Sequence, residues 1–220
     1  MRVKCVKMEV YHPTRMRFDI HIHTNFSDGY NSPEEIVERA KEIGLSGIAI
    51  TDHDEIDGAL EALKYSSEDF TVIPGIEVSS REGHILCLGI KEKIDYGIPA
   101  AEVIKRTHEL GGLAIAAHPY DRIRSGVGDL IYKLNFDAVE LHNARTLVTT
   151  VNEQEVLDGV KLPVVGGSDA HSVDEVGCIT IIVHDDPLSA IKNDNFDVIV
   201  NYRKSTLIKS YLKRKLNWIF

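Results

Sequence analysis

Short apolar segments alternate with segments of helical periodicity along most of the chain. The apolar segments predict strands at Arg17–His23, Gly47–Thr51, Thr71–Glu77, His84–Ile90, Leu113–Ala117, Asp137–His142, Val164–Gly167, Ile179–Val183 and Val198–Val200. The helical segments predict helices that begin at Ser32, Asp57 and Pro99. Because strands separated by helices usually form mainly parallel sheets, this order predicts an α/β fold. A closed but irregular β/α barrel is the first choice, and an open doubly wound sheet is the second.

Two local patterns predict where one helix begins and ends and how two strands connect. Ser32 can cap a helix, Pro33 suits its first turn, and Glu35 completes a capping box. Gly44 is expected to end this helix. The segment Arg81–Gly83 is too short for a helical crossover, so it predicts a tight hairpin between the third and fourth strands.

Length and composition limit the class of protein. With 220 residues the chain can form one domain with a substantial core, and one domain over residues 1–220 is predicted. No apolar run approaches the roughly 20 residues of a membrane-spanning helix, and no secretory signal begins the chain, which predicts a cytoplasmic location. Three scattered cysteines argue against a disulfide framework. The net charge of −9 disfavours a broad electrostatic surface for nucleic acid, but bound cations could supply positive charge locally.

Histidines and carboxylates occur at nearly every predicted strand end. The segments are Asp19-Ile20-His21-Ile22-His23, Thr51-Asp52-His53, Gly75-Ile76-Glu77, His84, Ala116-Ala117-His118 and Ser168-Asp169-Ala170-His171. Side chains two positions apart on a strand point to the same face, so His21 and His23 can hold one ion together. The carboxyl ends of parallel strands lie at one rim of a β/α fold, so these distant residues are expected to converge.

A metal site explains this pattern better than separate structural histidines. A single histidine at a strand end is more often a hydrogen-bonded structural group than a ligand. Six of them packed with Glu77 and Asp169 would leave buried polar groups poorly satisfied unless cations were present. The mixed nitrogen and oxygen donors suit two or three divalent ions of zinc, manganese or iron.

These segments resemble the motifs of the PHP family, the polymerase and histidinol phosphatase domains. Ser27-Asp28-Gly29 and Ala117-His118-Pro119 complete the match, and all the motifs occur in the family's order between about position 19 and position 171. The resemblance implies a distorted seven-stranded β/α barrel with a trinuclear metal centre at its C-terminal rim. The ligand sets it implies are His21, His23, Glu77 and Asp169 for the first ion, Glu77, His84 and His118 for the second, and Asp28, His53 and His171 for the third.

The spacing of Asp28 and His84 is most similar to the branch of the family that contains 3′,5′-nucleotide phosphodiesterases and 5′-to-3′ exoribonucleases. This chain departs from that branch between His84 and His118. Only 34 positions separate these two residues, which leaves no room for the inserted lid domain of those enzymes. The resemblance therefore implies phosphate-ester chemistry without fixing the substrate.

The expected activity is hydrolysis of a phosphate ester, either a nucleotide phosphodiester or a small phosphomonoester. Two close cations can lower the pKa of a bound water to about 7, and the resulting hydroxide would attack phosphorus. Glu77 and Asp169 are the predicted catalytic carboxylates. Arg122 is the preferred phosphate clamp because a guanidinium matches phosphate oxygens bidentately. Further candidates for substrate contact are Arg145, His142 and Asn143.

Other interpretations stay open at the level of sequence. The partner is expected to be a small phosphorylated substrate or a nucleotide, with a short nucleic acid as a further option. A non-catalytic RNA- or protein-binding module of the same fold and an amidohydrolase-type C–N hydrolase are the alternative functions. The segment Asn201–Phe220 is basic, without an acidic residue, and predicts either a terminal helix packed on the barrel or an amphipathic binding helix.

Overall fold

A computed structural model describes residues 15–201 of the chain, apart from residues 122, 147, 148, 150 and 152. Arg122 and the basic segment beyond Asn201 therefore lie outside the described residues. Within the described range, no helix has the length and apolar character needed to cross a membrane.

The described residues form nine strands and five α-helices that alternate along much of the chain. The strands are β1 (Met16–Asp19), β2 (Gly47–Ile50), β3 (Thr71–Ser79), β4 (His84–Leu88), β5 (Leu113–Ala116), β6 (Ala138–Asn143), β7 (Val164–Gly167), β8 (Ile179–Val183) and β9 (Asp197–Val200). The helices are α1 (Pro33–Glu42), α2 (Asp57–Ala62), α3 (Ala100–Glu109), α4 (Glu153–Gly159) and α5 (Pro187–Lys192), and short 3-10 helices cover Leu63–Tyr65 and Gly128–Tyr132.

The nine strands form one sheet, which curls into a nearly closed barrel. Its strand order is β7-β6-β5-β4-β3-β2-β1-β8-β9. Beyond the ends of β1 and β7, Ile22 and Ala170 form a parallel bridge, in which the His23 N–H donates to the Ala170 carbonyl at 2.8 Å. This bridge joins the chain beyond β1 to the chain beyond β7 at the carboxyl ends of the two strands. On the other side of β1, β8 pairs with β1 and β9 pairs with β8.

The structure confirms the α/β class and the barrel, but the described part of the chain forms a sheet of nine strands rather than the seven that the resemblance implies, and some other expected details are wrong. The sheet is less parallel than predicted, since β3–β4, β4–β5, β1–β8 and β8–β9 all pair antiparallel. The antiparallel β3–β4 pair confirms the hairpin predicted at Arg81–Gly83. The first regular strand ends at Asp19 rather than at His23, and from there to His23 only Ile22 forms a bridge, to Ala170. Helices α4 and α5 were not predicted from the sequence.

Two hydrophobic layers hold the barrel in shape. Ile48 and Ile50 of β2 pack outward against the helices, whereas Ala49 between them joins the layer inside the barrel. This alternation explains why the strands are apolar on both faces. Helix α1 begins as predicted, because the Ser32 and Glu35 side chains form the reciprocal capping box.

Candidate metal centre

Glu77 lies at the centre of the rim, and one of its oxygens faces the paired histidines that follow β1. Glu77 Oε2 is 3.2 Å from His21 Nε2 and 3.1 Å from His23 Nε2. Asp169 Oδ1 approaches the same two nitrogens, at 3.7 Å from His21 and 3.4 Å from His23. All four side chains are buried. They form a first group of donors that converge on one point.

The second oxygen of Glu77 faces a different pair of histidines. Glu77 Oε1 is 3.1 Å from His118 Nε2 and 3.2 Å from His84 Nδ1. His84 begins β4, which runs antiparallel to its neighbours, so the start of this strand lies at the same rim as the ends of the parallel strands. Glu77 is therefore placed between two groups of donors.

A third group lies nearer to solvent, around Asp28. Asp28 Oδ2 is 3.0 Å from His171 Nε2, and Asp28 Oδ1 is 3.6 Å from His23 Nδ1. Donor atoms of these three residues and His53 all lie within 4.8 Å of one another. His53 Nδ1 is also 3.3 Å from Glu77 Oε2, so His53 stands between the third group and the buried centre. The Asp28 side chain is 56% exposed, which makes this the open side of the site.

The donors fit divalent metal ions better than they fit one another. Within the described residues, the buried Nδ1 atoms of His23, His53 and His84 have no hydrogen-bond partner. Each lies only 3.2–3.6 Å from a carboxylate oxygen, but without hydrogen-bond geometry. Orphaned nitrogens beside carboxylates are costly in a buried site unless a cation binds them. The mixture of imidazole and carboxylate suits zinc, manganese or iron.

The charges of this cluster are strongly coupled. Burial opposes ionisation of Glu77, but the charges and hydrogen bonds of the surrounding histidines outweigh it and hold the pKa of Glu77 well below its usual range. Burial also lowers the pKa of His23, but Asp169 and Glu77 outweigh this effect and raise the pKa to about 9. The pKa of His53 is lowered, mainly because of its burial. The carboxylates of the rim are thus held in the charged form that binds cations.

Local backbone structure fixes the loops that carry the donors. Asp52 accepts hydrogen bonds from the Thr24 N–H at 2.6 Å, the Thr24 hydroxyl at 2.7 Å and the Ser27 hydroxyl at 2.6 Å, and so braces the turn that presents Asp28. His118 and Asp169 have φ angles of 29° and 52°, which non-glycine residues rarely adopt. Such strained residues persist only where the surrounding structure holds them, as it does at many functional sites.

The structure brings all nine predicted ligand residues to one rim, although their roles as ligands stay predictions. They are His21, His23, Asp28, His53, Glu77, His84, His118, Asp169 and His171. Two ligands that are close in sequence lie in different groups, as the resemblance implies. Asp169 faces the first group and His171 faces the third, because the backbone turns at Asp169.

The predicted substrate residues have different surroundings. Asn143 is buried and donates to Glu140 at 2.9 Å and to Asp169 at 3.1 Å, so it supports the site from behind. Arg145 lies 3.4 Å from the buried Glu175, whose carboxylate also accepts the His171 N–H. His142 is partly buried at the end of β6. Arg122 lies outside the described residues.

Two residues of the site were missed by sequence reasoning. Arg124 forms an ion pair with Asp169 and donates to Asp121, Asn143 and Thr146. It lies on the same loop as Arg122, and nothing in the sequence distinguishes the two arginines. Glu140 hydrogen-bonds His21 Nδ1 at 2.9 Å. The sequence could have indicated Glu140, because it is a charged residue within the otherwise apolar start of β6.

Comparison with known proteins agrees with this geometry. Residues 19–159 match the model of the PHP domain, and residues 152–199 match the model of the PHP-associated segment. The chain is 39% identical over 141 residues to the uncharacterized protein MJ1587 of Methanocaldococcus jannaschii, which covers 59% of this chain and 82% of that protein.

Two further comparisons cover a smaller part of the other protein. The chain is 41% identical over 80 residues to the 5′-3′ exoribonuclease Rnm of Salmonella typhimurium, covering 33% of this chain and 27% of the exoribonuclease. Among solved structures, a two-domain protein of Bacteroides vulgatus that contains a predicted PHP-like metal-dependent phosphoesterase superposes with a TM-score of 0.67. That match has 18% identity and covers 85% of this chain and 65% of the other, so it supports the fold alone.

Proposed function

The chain belongs to the PHP domain family and is a metal-dependent phosphoesterase, and on this premise we propose that it hydrolyses a phosphodiester bond in a nucleotide or a short nucleic acid. The observation that carries the proposal is the position of Glu77, whose two oxygens face separate groups of histidines. A carboxylate in this position can bridge two ions. The matches over residues 19–159 and 152–199 overlap, which supports one phosphoesterase domain over residues 1–220.

The proposed chemistry assigns a role to each group of residues. Divalent ions, when bound, supply Lewis acidity and a hydroxide nucleophile at neutral pH. Glu77 holds the two buried groups of donors at a fixed separation. Asp169 completes the first group, and Arg124 beside it places a positive charge near the phosphate, the role that sequence gave to Arg122. Asp28, His53 and His171 form the open side through which substrate approaches.

Two observations favour a nucleotide diester over a small phosphomonoester, and a third limits its length. Phe26 and Tyr30 flank Asp28 in sequence and are 43% and 56% exposed, which suits stacking of a nucleobase beside the phosphate site. The exoribonuclease relative acts on a nucleic acid, as its name states. The net charge of −9 disfavours a long nucleic acid, so the proposal is limited to nucleotides and short strands.

Metal identity, metal number and a cytoplasmic location stay predictions. The alternative of a non-catalytic binding module predicts gaps in the ligand set, but all nine positions carry a donor. The alternative of a C–N hydrolase predicts a lysine beside the metals. In the described part of the chain, the ion pairs of Glu77 and Asp169 involve only histidines and Arg124.

An activity panel tests the proposal. Protein stripped with a chelator and reloaded with Mn²⁺, Zn²⁺ or Fe²⁺ is assayed on 5′-phosphorylated oligoribonucleotides, cyclic nucleotides, p-nitrophenyl phosphate and an anilide. We expect kcat/KM for a nucleotide diester to exceed that for the monoester by at least about tenfold, a difference of roughly 1.4 kcal/mol in transition-state binding. Faster cleavage of the monoester or of the anilide contradicts the proposal. Binding without turnover supports the non-catalytic module instead.

A further inference from the structure

Glu140 is a buried carboxylate in β6 that faces the metal centre from behind. Its Oε1 atom lies 2.9 Å from His21 Nδ1. Because a carboxylate can only accept, His21 carries a proton on Nδ1, so Nε2 is the nitrogen that would lose its proton and offer its lone pair to a metal ion beside Glu77 and Asp169. Glu140 therefore fixes both the tautomer and the ring orientation of His21.

The second oxygen of Glu140 reaches two other parts of the site. Glu140 Oε2 accepts from the His118 N–H at 3.2 Å and from Asn143 Nδ2 at 2.9 Å. Asn143 Nδ2 in turn donates to Asp169 Oδ2 at 3.1 Å. Glu140 is thus connected to His21, His118 and, through Asn143, Asp169, which follow three different strands. These residues belong to both groups of donors that face Glu77.

The neighbouring strand leaves room for this connection. A Cβ atom at Gly167 of β7 would lie 2.5 Å from the Cβ of His21 and 2.6 Å from Glu140 Oε1. Any side chain at this position would force the two residues apart. The pair of His21 and Glu140 is therefore built into the packing of β6 and β7 against the chain beyond β1.

We propose that Glu140 is a positioning residue that holds ligands of both buried metal groups in register, directly through His21 and His118 and indirectly, through Asn143, at Asp169. This rests on the proposed function in one respect, namely that the rim binds divalent ions. Glu140 touches neither substrate nor ion. Its effect is to hold the donor atoms in converging positions before metal binds, and its negative charge makes His21 a stronger electron-pair donor to a metal ion.

The test is a calorimetric titration of Mn²⁺ or Zn²⁺ into chelator-treated protein, without substrate. Glu140→Gln keeps the shape of the side chain and removes its charge. We expect the affinity for metal to fall by about 10- to 100-fold, as for other residues that orient metal ligands. Raised metal concentration is expected to restore diester turnover in this variant. A merely structural role would not produce rescue by metal.

Asp137 provides a matched control. Its carboxylate pairs with His108 Nε2 at 2.7 Å and accepts the Ala114 N–H at 2.8 Å, so it also joins a histidine and a backbone N–H, but away from the rim. Asp137→Asn is expected to leave metal affinity unchanged. An equal loss in the two variants would overturn the proposal, as would wild-type affinity in Glu140→Gln.

Two further outcomes are distinguishable. If wild-type protein binds no divalent ion, the proposed function fails and not merely the role of Glu140. If Glu140→Gln does not fold by circular dichroism, Asn143→Ala decides, because it cuts the link to Asp169 and leaves the contact of Glu140 with His21. We expect this variant to lose at least about threefold in metal affinity, and unchanged affinity overturns the proposed network.

Discussion

His21 and His23 point their Nε2 atoms at each other across 3.1 Å inside the buried rim. Since Glu140 holds a proton of His21 on Nδ1, the facing Nε2 atoms are the two nitrogens that would lose their protons and direct lone pairs at one cation. The two imidazoles are therefore placed to bind one metal ion together. The predictions below follow from this arrangement and from the groups around it.

Removal of metal should destabilise the fold. An ion present at about 1,000 times its dissociation constant stabilises the native state by roughly 4 kcal/mol. For a chain of this size that corresponds to a loss of about 10 °C in Tm when a chelator is added. Differential scanning calorimetry with and without chelator measures the shift, and readdition of Mn²⁺ or Zn²⁺ should reverse it. An unchanged Tm would contradict a metal centre in the core of the rim.

Glu77→Gln should abolish turnover while the fold is retained. The amide keeps the shape of the side chain but removes the charge that both groups of histidines share, so kcat should fall by at least about 10³-fold. Steady-state kinetics on the preferred diester and circular dichroism of the same sample check the result. Glu92→Gln, on an exposed loop, is the matched control and should behave as wild type. Full activity in Glu77→Gln would remove the basis of the site assignment.

Arg124→Ala should reduce kcat/KM by about 10²-fold, because the positive charge beside Asp169 and the phosphate is lost. Arg124→Lys should recover only part of this loss, since lysine cannot reproduce the bidentate contact with Asp121. Arg145→Ala provides the comparison, as Arg145 pairs with Glu175 instead. A larger effect at Arg145 than at Arg124 would show that the cationic role belongs to Arg145.

Phe26→Ala should weaken the use of nucleotide substrates selectively. Loss of one stacked base costs about 1–3 kcal/mol, or roughly 5- to 150-fold in kcat/KM. The same diester with an abasic sugar should be cleaved equally well by the variant and the wild type. Tyr96→Ala, which removes an even more exposed aromatic from another loop, is the control. Equal losses on both substrates would argue against a stacking role for Phe26.

Metal affinity should rise with pH between pH 7 and 9. Burial lowers the pKa of His23, but Asp169 and Glu77 raise it to about 9, so in the metal-free protein this imidazole holds its proton at pH 7. An imidazole must lose that proton to coordinate metal. Each proton released gives up to about a tenfold gain in affinity per pH unit, and the gain ends above the pKa. Calorimetry in buffers of different ionisation enthalpy counts the protons, and a pH-independent affinity would contradict this linkage.

The sequence alone determined which histidines and carboxylates meet at the rim. His21, Glu77, His118 and Asp169 each follow or end an apolar segment, and strands of a β/α fold bring such positions to one rim. The capping box at Ser32 and the hairpin at Arg81–Gly83 were equally local signals. These features depend on the periodicity and chemistry of neighbouring residues, which the chain displays before it folds.

Only the tertiary structure decided what holds the donors in place and how their groups meet. His53 stands between Glu77 and the Asp28 group, and Glu140 is joined to His21 across 119 positions of sequence. Arg124 contacts Asp169, although sequence pointed to Arg122. Such contacts are set by the curvature of the closed barrel and by single backbone turns, such as that at Asp169. They depend on distances of a few ångströms between elements far apart in the chain, and no local pattern of residues encodes them.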